Sequence, residues 1–431
     1  MIPTRTWKIA AVTGLGALLA MLDSTLVNLA AEAVRADLGS TLPVVQWIVT
    51  GYLVALAVSL PASGWLGGRF GYGRVWTVAL AVFVMASALC ALAPGVPALI
   101  AARVLQGLAG GLLVPAGQAV LGAVAGPAQL GRLMGALGVV ISLGPAIGPA
   151  LGGLLLDLAS WRWLFWINVP IGVFALLAAR GLVPPGDRDE GRSLDRIGLV
   201  LLGTGLPLLL YGATSRSVLL LLLGGLLIAA FTRTALRTPR PLVDLRLLRD
   251  RRFTAATVTT GFTGANMYGG LLLLPLVLHL ELGLDSTATG LQLLAMGLGS
   301  AGALYFGGAL TDRHGAGPVT LTGAALLVVT TLPFLLPLPV PMLTALLVVR
   351  GAGLALAQLP ATTAAYAAVT ADRLGDATTL VNIVQRAGGA IGAAGVSVLV
   401  TGTGSAWAFG ALAVLSGLTV ASAAVLHTGG R

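Results

Sequence analysis

Gly64-Trp65-Leu66-Gly67-Gly68-Arg69-Phe70-Gly71 comes back 244 residues later as Gly308-Ala309-Leu310-Thr311-Asp312-Arg313-His314-Gly315. The same offset carries Gln106-Gly107 onto Arg350-Gly351. It also carries Gly144-Pro145-Ala146-Ile147-Gly148 onto Gly388-Gly389-Ala390-Ile391-Gly392. Three ungapped matches at one offset are hard to obtain by chance, even with 60 glycines in 431 residues. They divide the chain into two related halves. Internal repeats of this size are a signature of secondary transporters, whose site lies at the midplane between the halves.

The chemistry between the repeats sets the environment. The chain is 57% hydrophobic and only 9% charged, with a mean hydropathy of +0.96. A soluble domain carries about 25% charged residues, so this chain cannot cover a water-facing surface and must face lipid. Apolar runs of about twenty residues, the length of a bilayer-spanning helix, recur from end to end. Backbone groups in lipid must be satisfied within their own segment, which makes these runs helices. The shorter alternating pattern of a membrane barrel is absent.

Spans are expected at 8–30, 44–66, 75–95, 97–120, 131–156, 163–183, 197–214, 217–236, 254–279, 288–310, 318–337, 341–368, 377–400 and 405–426. This is an all-α polytopic membrane fold with fourteen transmembrane helices. Residues 1–183 form an N-terminal six-helix bundle, residues 184–252 a two-helix insert with flanking loops, and residues 253–431 a C-terminal six-helix bundle. The two helices of the 197–236 hairpin are short, with a tight Thr214-Ser215-Arg216 turn between them. Nineteen of the 25 basic residues fall on one side of this layout, and only Arg35, Arg162 and Arg216 on the other. Cytoplasmic loops collect basic residues, so both termini are expected in the cytoplasm of a cell-membrane protein. The net charge of +10 belongs to these loops rather than to a nucleic-acid surface. Arg5 and Lys8 before an apolar stretch imitate a signal peptide, but Asp23 and the many later spans argue against it.

Several functions are excluded. There is no Gly-rich loop ending in Gly-Lys-Ser/Thr, and the loops are too short for a nucleotide-binding domain. No His/Cys cluster has metal-ligand spacing, and no cofactor or metal is expected. Cys90 is the single cysteine.

Five motifs, in order along nearly the whole chain, resemble the major facilitator superfamily and its fourteen-helix drug:proton antiporter family. They are Leu22-Asp23-Ser24-Thr25-Leu26-Val27-Asn28-Leu29-Ala30, the Gly64–Gly71 element, Arg103-Val104-Leu105-Gln106-Gly107-Leu108-Ala109-Gly110-Gly111, Gly144-Pro145-Ala146-Ile147-Gly148-Pro149-Ala150-Leu151-Gly152-Gly153, and Trp161-Arg162-Trp163-Leu164-Phe165-Trp166-Ile167-Asn168-Val169-Pro170-Ile171-Gly172. Two departures stand out. Gly68 replaces the family's usual Asp, which the second copy keeps as Asp312. His279 replaces the family's usual Gln.

Asp23 is the first candidate for proton coupling. An ionised Asp at depth costs about 2.5–3.5 kcal/mol even on the lenient insertion scale, so it must face a cavity or a partner. It takes up and releases a proton, attracts a cationic drug, or makes a structural hydrogen bond to a neighbouring helix. Arg103 is the second candidate. The resemblance implies a fixed charge that tunes a nearby carboxylate, while the plain alternative is a side chain snorkelling to the interface. The sequence does not place the two together.

Gly144, Gly148 and Gly152 align on one helix face, with Pro145, Pro149 and Gly153 among them. They read either as a bent seam between halves that limits leak or as ordinary close packing. Gly64, Arg69, Gly71, Gly308, Asp312 and Arg313 form candidate gating loops. Asp312 is expected to meet the positive start of the helix that follows it. Tyr52, Gln118, Asn266, Tyr268, Gln292 and Gln358 are candidate cavity residues, each with an interhelical hydrogen bond as its alternative. Trp161, Trp163 and Trp166 read as an interfacial belt. His279 is a candidate relay or an interfacial histidine.

The expected function is proton-coupled efflux of a lipophilic drug or antibiotic by alternating access, by a monomer in contact with membrane lipid. An importer, uniporter or lipid translocator uses the same scaffold. A non-transporting sensor or intramembrane enzyme requires a catalytic cluster or signalling domain that the sequence lacks.

Overall fold

Lacking charge, the backbone satisfies itself as helix nearly throughout. The computed structural model describes residues 2–125, 129–189, 193–215, 217–336, 339–402 and 404–428. The first half holds α1 (Thr4–Leu29), α2 (Ala31–Asp37), α3 (Leu42–Ser59), α4 (Ser63–Phe70), α5 (Tyr72–Ala91), α6 (Val96–Val124), α7 (Leu130–Leu158), α8 (Trp163–Trp166) and α9 (Asn168–Leu182). Then come α10 (Arg196–Ser215) and α11 (Val218–Arg237). The second half holds α12 (Arg251–Leu280), α13 (Ser286–His314), α14 (Ala316–Thr331), α15 (Val340–Ala367), α16 (Leu374–Gly402) and α17 (Ser405–Thr428).

Local chemistry sets the ends. Asp250 accepts a hydrogen bond from the Phe253 amide at 2.7 Å and starts α12, and Asp285 does the same for Ala288, also at 2.7 Å, at the start of α13. Prolines near the starts of α3, α6 and α15 occupy positions whose amides have no helical partner. Pro61 lies in a 3-10 turn, Leu60–Ala62, which separates α3 from α4. Gly71 and Gly315 end their repeated motifs with φ of 90° and 84°. Only glycine adopts that conformation without strain, which explains why the motif closes on glycine in both copies.

The repeat is now visible in space. Leu42–Phe70 maps onto Ser286–His314, and Leu130–Leu158 onto Leu374–Gly402, at the offset of 244 read from the sequence. In the first half α1 packs on α7 and α9, α6 on α3 and α5, and α5 on α9. In the second, α12 packs on α16 and α17, α15 on α13 and α14, and α14 on α17. Across the halves α7 meets α13, and α16 meets α4. Small residues allow these approaches. A Cβ on Gly107 would run into the carbonyl oxygen of Tyr52, and one on Gly351 into that of Met296. These two pairs are themselves related by the repeat.

Twelve helical segments among the described residues are long and apolar enough to cross a membrane, against the fourteen expected. Within the described residues α7 and α10 contribute the apolar stretches Leu130–Ile141 and Arg196–Gly212. The inserted helix α10 packs against α3 of one half and α16 of the other, and α11 packs on α10. Leu219, Leu222 and Leu226 on α11 remain exposed, as a lipid-facing helix requires. The short α2 was not foreseen. Its end is tied down by Asp37, whose carboxylate accepts from the Trp161 indole at 2.9 Å and from Arg162 at 2.7 Å. Trp161 is therefore buried, while Trp163 is exposed as an interfacial residue would be.

Candidate functional site

The polar centre of the first half is built by four long helices and closed by a fifth. Asp23 on α1 has no exposed surface, and Arg103 on α6 is 1% exposed. The guanidinium Nη1 of Arg103 donates to Asp23 Oδ2. Asp23 Oδ1 accepts from Gln106 Nε2 at 2.9 Å and from Asn168 Nδ2 at 3.0 Å. Arg103 is fixed further by donating Nε–H to the Ile48 carbonyl at 3.0 Å and Nη1–H to Gln106 Oε1 at 2.6 Å. Gln106 also donates to Ser87 at 2.7 Å. The Tyr52 ring lies 4.1 Å from the guanidinium carbon, a cation–π distance. Its hydroxyl donates to the Ala20 carbonyl at 3.3 Å.

Asp23 thus faces partners rather than a water-filled cavity in this conformation. Geometry explains the cluster. Arg103 and Gln106 are three residues apart on one helix, so both reach the same face. Gln106 and Asn168 lie in the motifs quoted from the sequence, but nothing in their spacing announced that they would bind Asp23. Tyr52 packs inside this centre and not on a cavity wall.

The other candidate residues fall at separate places. Gln118 on α6 accepts from Tyr366 of α15 at 3.0 Å and from Asn382 of α16 at 2.7 Å, which makes it a bond between halves. Asn266 lies inside the second half, where its Oδ1 accepts from Ser416 at 3.0 Å. Gln292 accepts from Thr344 at 2.9 Å, a bond between α13 and α15. The Tyr268 ring packs over Gly389 and keeps 37% of its surface exposed. Gln358 is half-buried on α15. His279 is exposed in the last turn of α12, with Nδ1 2.7 Å from the Leu284 carbonyl oxygen.

The gating-loop residues sit where the halves meet, at the arginine-rich end. The Asp312 carboxylate lies against the backbone N–H groups of Gly131 and Arg132, with the Arg132 guanidinium nearby. It therefore serves the start of α7 in the opposite half. This corrects the expectation that it would serve the helix that follows it. A Cβ on Gly308 would sit 2.6 Å from the Gly131 carbonyl oxygen. In the first copy, Ser63 and Thr379 hydroxyls meet at 2.7 Å across the halves, and Gly64 faces Asp376. Arg69 reaches the Asp189 carbonyl at 3.5 Å, while Arg313 is exposed. Gly71 turns beneath the Pro185 carbonyl.

The glycine series on α7 divides. The side-chain environments of Gly144, Pro145 and Pro149 lie outside the described residues. Gly148 is buried against Thr25 of α1, within its own half and two residues from Asp23. Gly152 is buried, and Gly153 has open space before it. The seam between halves on α7 is made instead by Gly131, Gly135 and Gly138, against Gly308 and Leu304 of α13.

Residues 13–274 and 256–428 match the Major Facilitator Superfamily model. The multidrug resistance protein B homolog of Mycobacterium tuberculosis is 36% identical over 411 residues, covering 91% of this chain and 76% of that protein. The tetracenomycin C resistance and export protein of Streptomyces glaucescens is 32% identical over 410 residues, covering 92% and 76%. The solved structure of the human organic anion transporter MFSD10 (TETRAN) shares the fold, with a TM-score of 0.71, 19% identity, and coverage of 99% of this chain and 100% of that one. Fold and relatives together define a multi-pass membrane transporter of small molecules, not an enzyme. The chain belongs to the Major Facilitator Superfamily.

Proposed function

We propose that this transporter exports a lipophilic drug or antibiotic in exchange for protons, as a fourteen-helix member of its superfamily. Two relatives named for resistance support the export reading, one of them also named for export. In this proposal α7 and α10 complete the count of fourteen. The units are 1–183, 184–252 and 253–431, and the arginine-rich end faces the cytoplasm of a plasma-membrane monomer.

The observation that carries the coupling is the Asp23–Arg103 pair, sealed among α1, α3, α5, α6 and α9. A permanently closed pair carries no proton. The cycle therefore requires a second conformation in which the halves rock, α1 shifts against α6, and Asp23 trades Arg103 for a proton. Protonation from outside and release inside couple that movement to the gradient, aided by about 2.3 kcal/mol per charge per 100 mV. The cross-half contacts at Gln118, Ser63 and Asp312 hold the cytoplasmic side shut in the present conformation.

The test is gradient-driven efflux of a compound panel in inverted vesicles, comparing the native protein with Asp23→Asn at matched amounts of folded protein. Loss of gradient-driven transport with substrate binding retained is the expected result. Full transport by the variant removes Asp23 from the coupling step.

A further inference from the structure

The second half contains a polar centre built on the same plan as the first, but without an acid. Arg350 on α15 occupies the repeat position of Gln106, and Thr331 on α14 that of Ser87. The guanidinium donates to Thr331 Oγ1, as Gln106 donates to Ser87. The repeat position of Asp23 is Met267, and that of Arg103 is Leu347. The first centre therefore pairs one cation with one carboxylate, and the second holds a cation alone. Among the described residues Arg350 has no carboxylate partner.

An arginine cannot escape its charge by losing a proton. Arg350 is 1% exposed, and the groups around it, Asn266, Thr331 and Ser416, are 0%, 1% and 0% exposed. Its remaining contact, Nη2 to Asn266 Oδ1, is long at 3.5 Å, and that oxygen already accepts from Ser416. The Asn266 amide nitrogen is buried with no acceptor at all. Two sets of donors thus lie side by side without enough acceptors. On the facing helix Gly270 presents no side chain to the guanidinium, and an added Cβ would stand 3.4 Å from Nη2, in van der Waals contact.

We propose that Arg350 and the amide of Asn266 hold a small monovalent anion inside the second half, in the role the Asp23 carboxylate plays in the first. The complete burial of the lining groups selects the class of ligand. With each of these groups at most 1% exposed, the ligand is a small monatomic anion such as a halide rather than an organic one. The anion balances the charge of Arg350 as the Asp23 carboxylate balances that of Arg103.

Chloride is the probe. The intact protein in detergent or nanodiscs is melted in chloride and in gluconate at equal ionic strength. The native protein should melt at least about 2 °C higher in chloride, along a saturable concentration curve. Asn266→Asp supplies a carboxylate at hydrogen-bond distance from Arg350 and should abolish the chloride shift. Equal melting in the two salts overturns the proposal, as does a chloride shift that survives in Asn266→Asp. Should that variant not fold, Arg350→Gln serves in its place: a persisting shift rejects the site, and its loss supports it.

Discussion

Arg103 on α6 donates to the carboxylate of Asp23 on α1, and neither side chain is open to water. Each charge makes the other tolerable at this depth. Removing one partner of a buried pair leaves the other uncompensated, at a cost of about 3–5 kcal/mol. Asp23→Asn alone should therefore lower thermal stability strongly, and Arg103→Gln alone likewise. The double variant Asp23→Asn/Arg103→Gln should be more stable than the sum of the two losses implies, because no orphan charge remains. A double-mutant cycle on melting in detergent measures this coupling. Additive losses would mean that the pair is not an energetic unit.

The two repeated gating elements place their acids on opposite sides of the contact. In the second copy, Asp312 of α13 faces Gly131 and Arg132 of α7. The repeat positions of Asp312, Gly131 and Arg132 are Gly68, Gly375 and Asp376. Asp376 lies at the start of α16, against Gly64. A carboxylate added at Gly68 would then face a carboxylate, and like charges repel. Gly68→Asp should open the contact between α4 and α16. Gly68→Asp/Asp376→Arg rebuilds the second copy's arrangement and should close it again. Distances between labels on α4 and α16 read both outcomes, and an unchanged distance in Gly68→Asp defeats the argument.

Much of this architecture was legible because membrane sequences are simple where they touch lipid. Apolar length gave the spans, and the offset between repeats gave the pairing of α3–α4 with α13 and of α7 with α16. The polar centres were harder to read. Sequence marks Asp23 and Arg103 as expensive residues but carries no distance between α1 and α6. Gln106 and Asn168 lie in the quoted motifs, and only packing brings them to Asp23. The glycines leave two readings open for a related reason. A four-residue spacing proves a smooth face, but not which helix meets it, and Gly148 meets α1 instead of the second half.

That division of the glycine series has a measurable consequence. A Cβ at Gly148 runs into the Thr25 side chain, whose hydroxyl is already engaged with the Leu22 carbonyl at 2.9 Å. Gly148→Ala should destabilise by about 1–3 kcal/mol, as overpacking does. At Gly153 the added methyl meets nothing within 4 Å. Gly153→Ala should leave stability unchanged or raise it by up to about 1 kcal/mol, the helix preference of alanine over glycine. Paired melting curves of the two variants distinguish the sites. Equal effects would show that the whole series packs alike.

The anchor of α2 titrates in acid. The Trp161 indole N–H and the Arg162 guanidinium, in that order, hold the Asp37 carboxyl below its ordinary value of 3.8. For a carboxylate lowered in this way, the stabilisation is present above the unfolded value and disappears as pH falls through the folded one. Asp37 should therefore keep α2 docked throughout the neutral range and release it only below pH 3.8. The difference in tryptophan fluorescence between the native protein and Asp37→Asn should be constant at neutral pH. It should collapse with a midpoint under 3.8 as the native carboxyl gains its proton. A midpoint above that value would mean that Trp161 and Arg162 do not stabilise the charge.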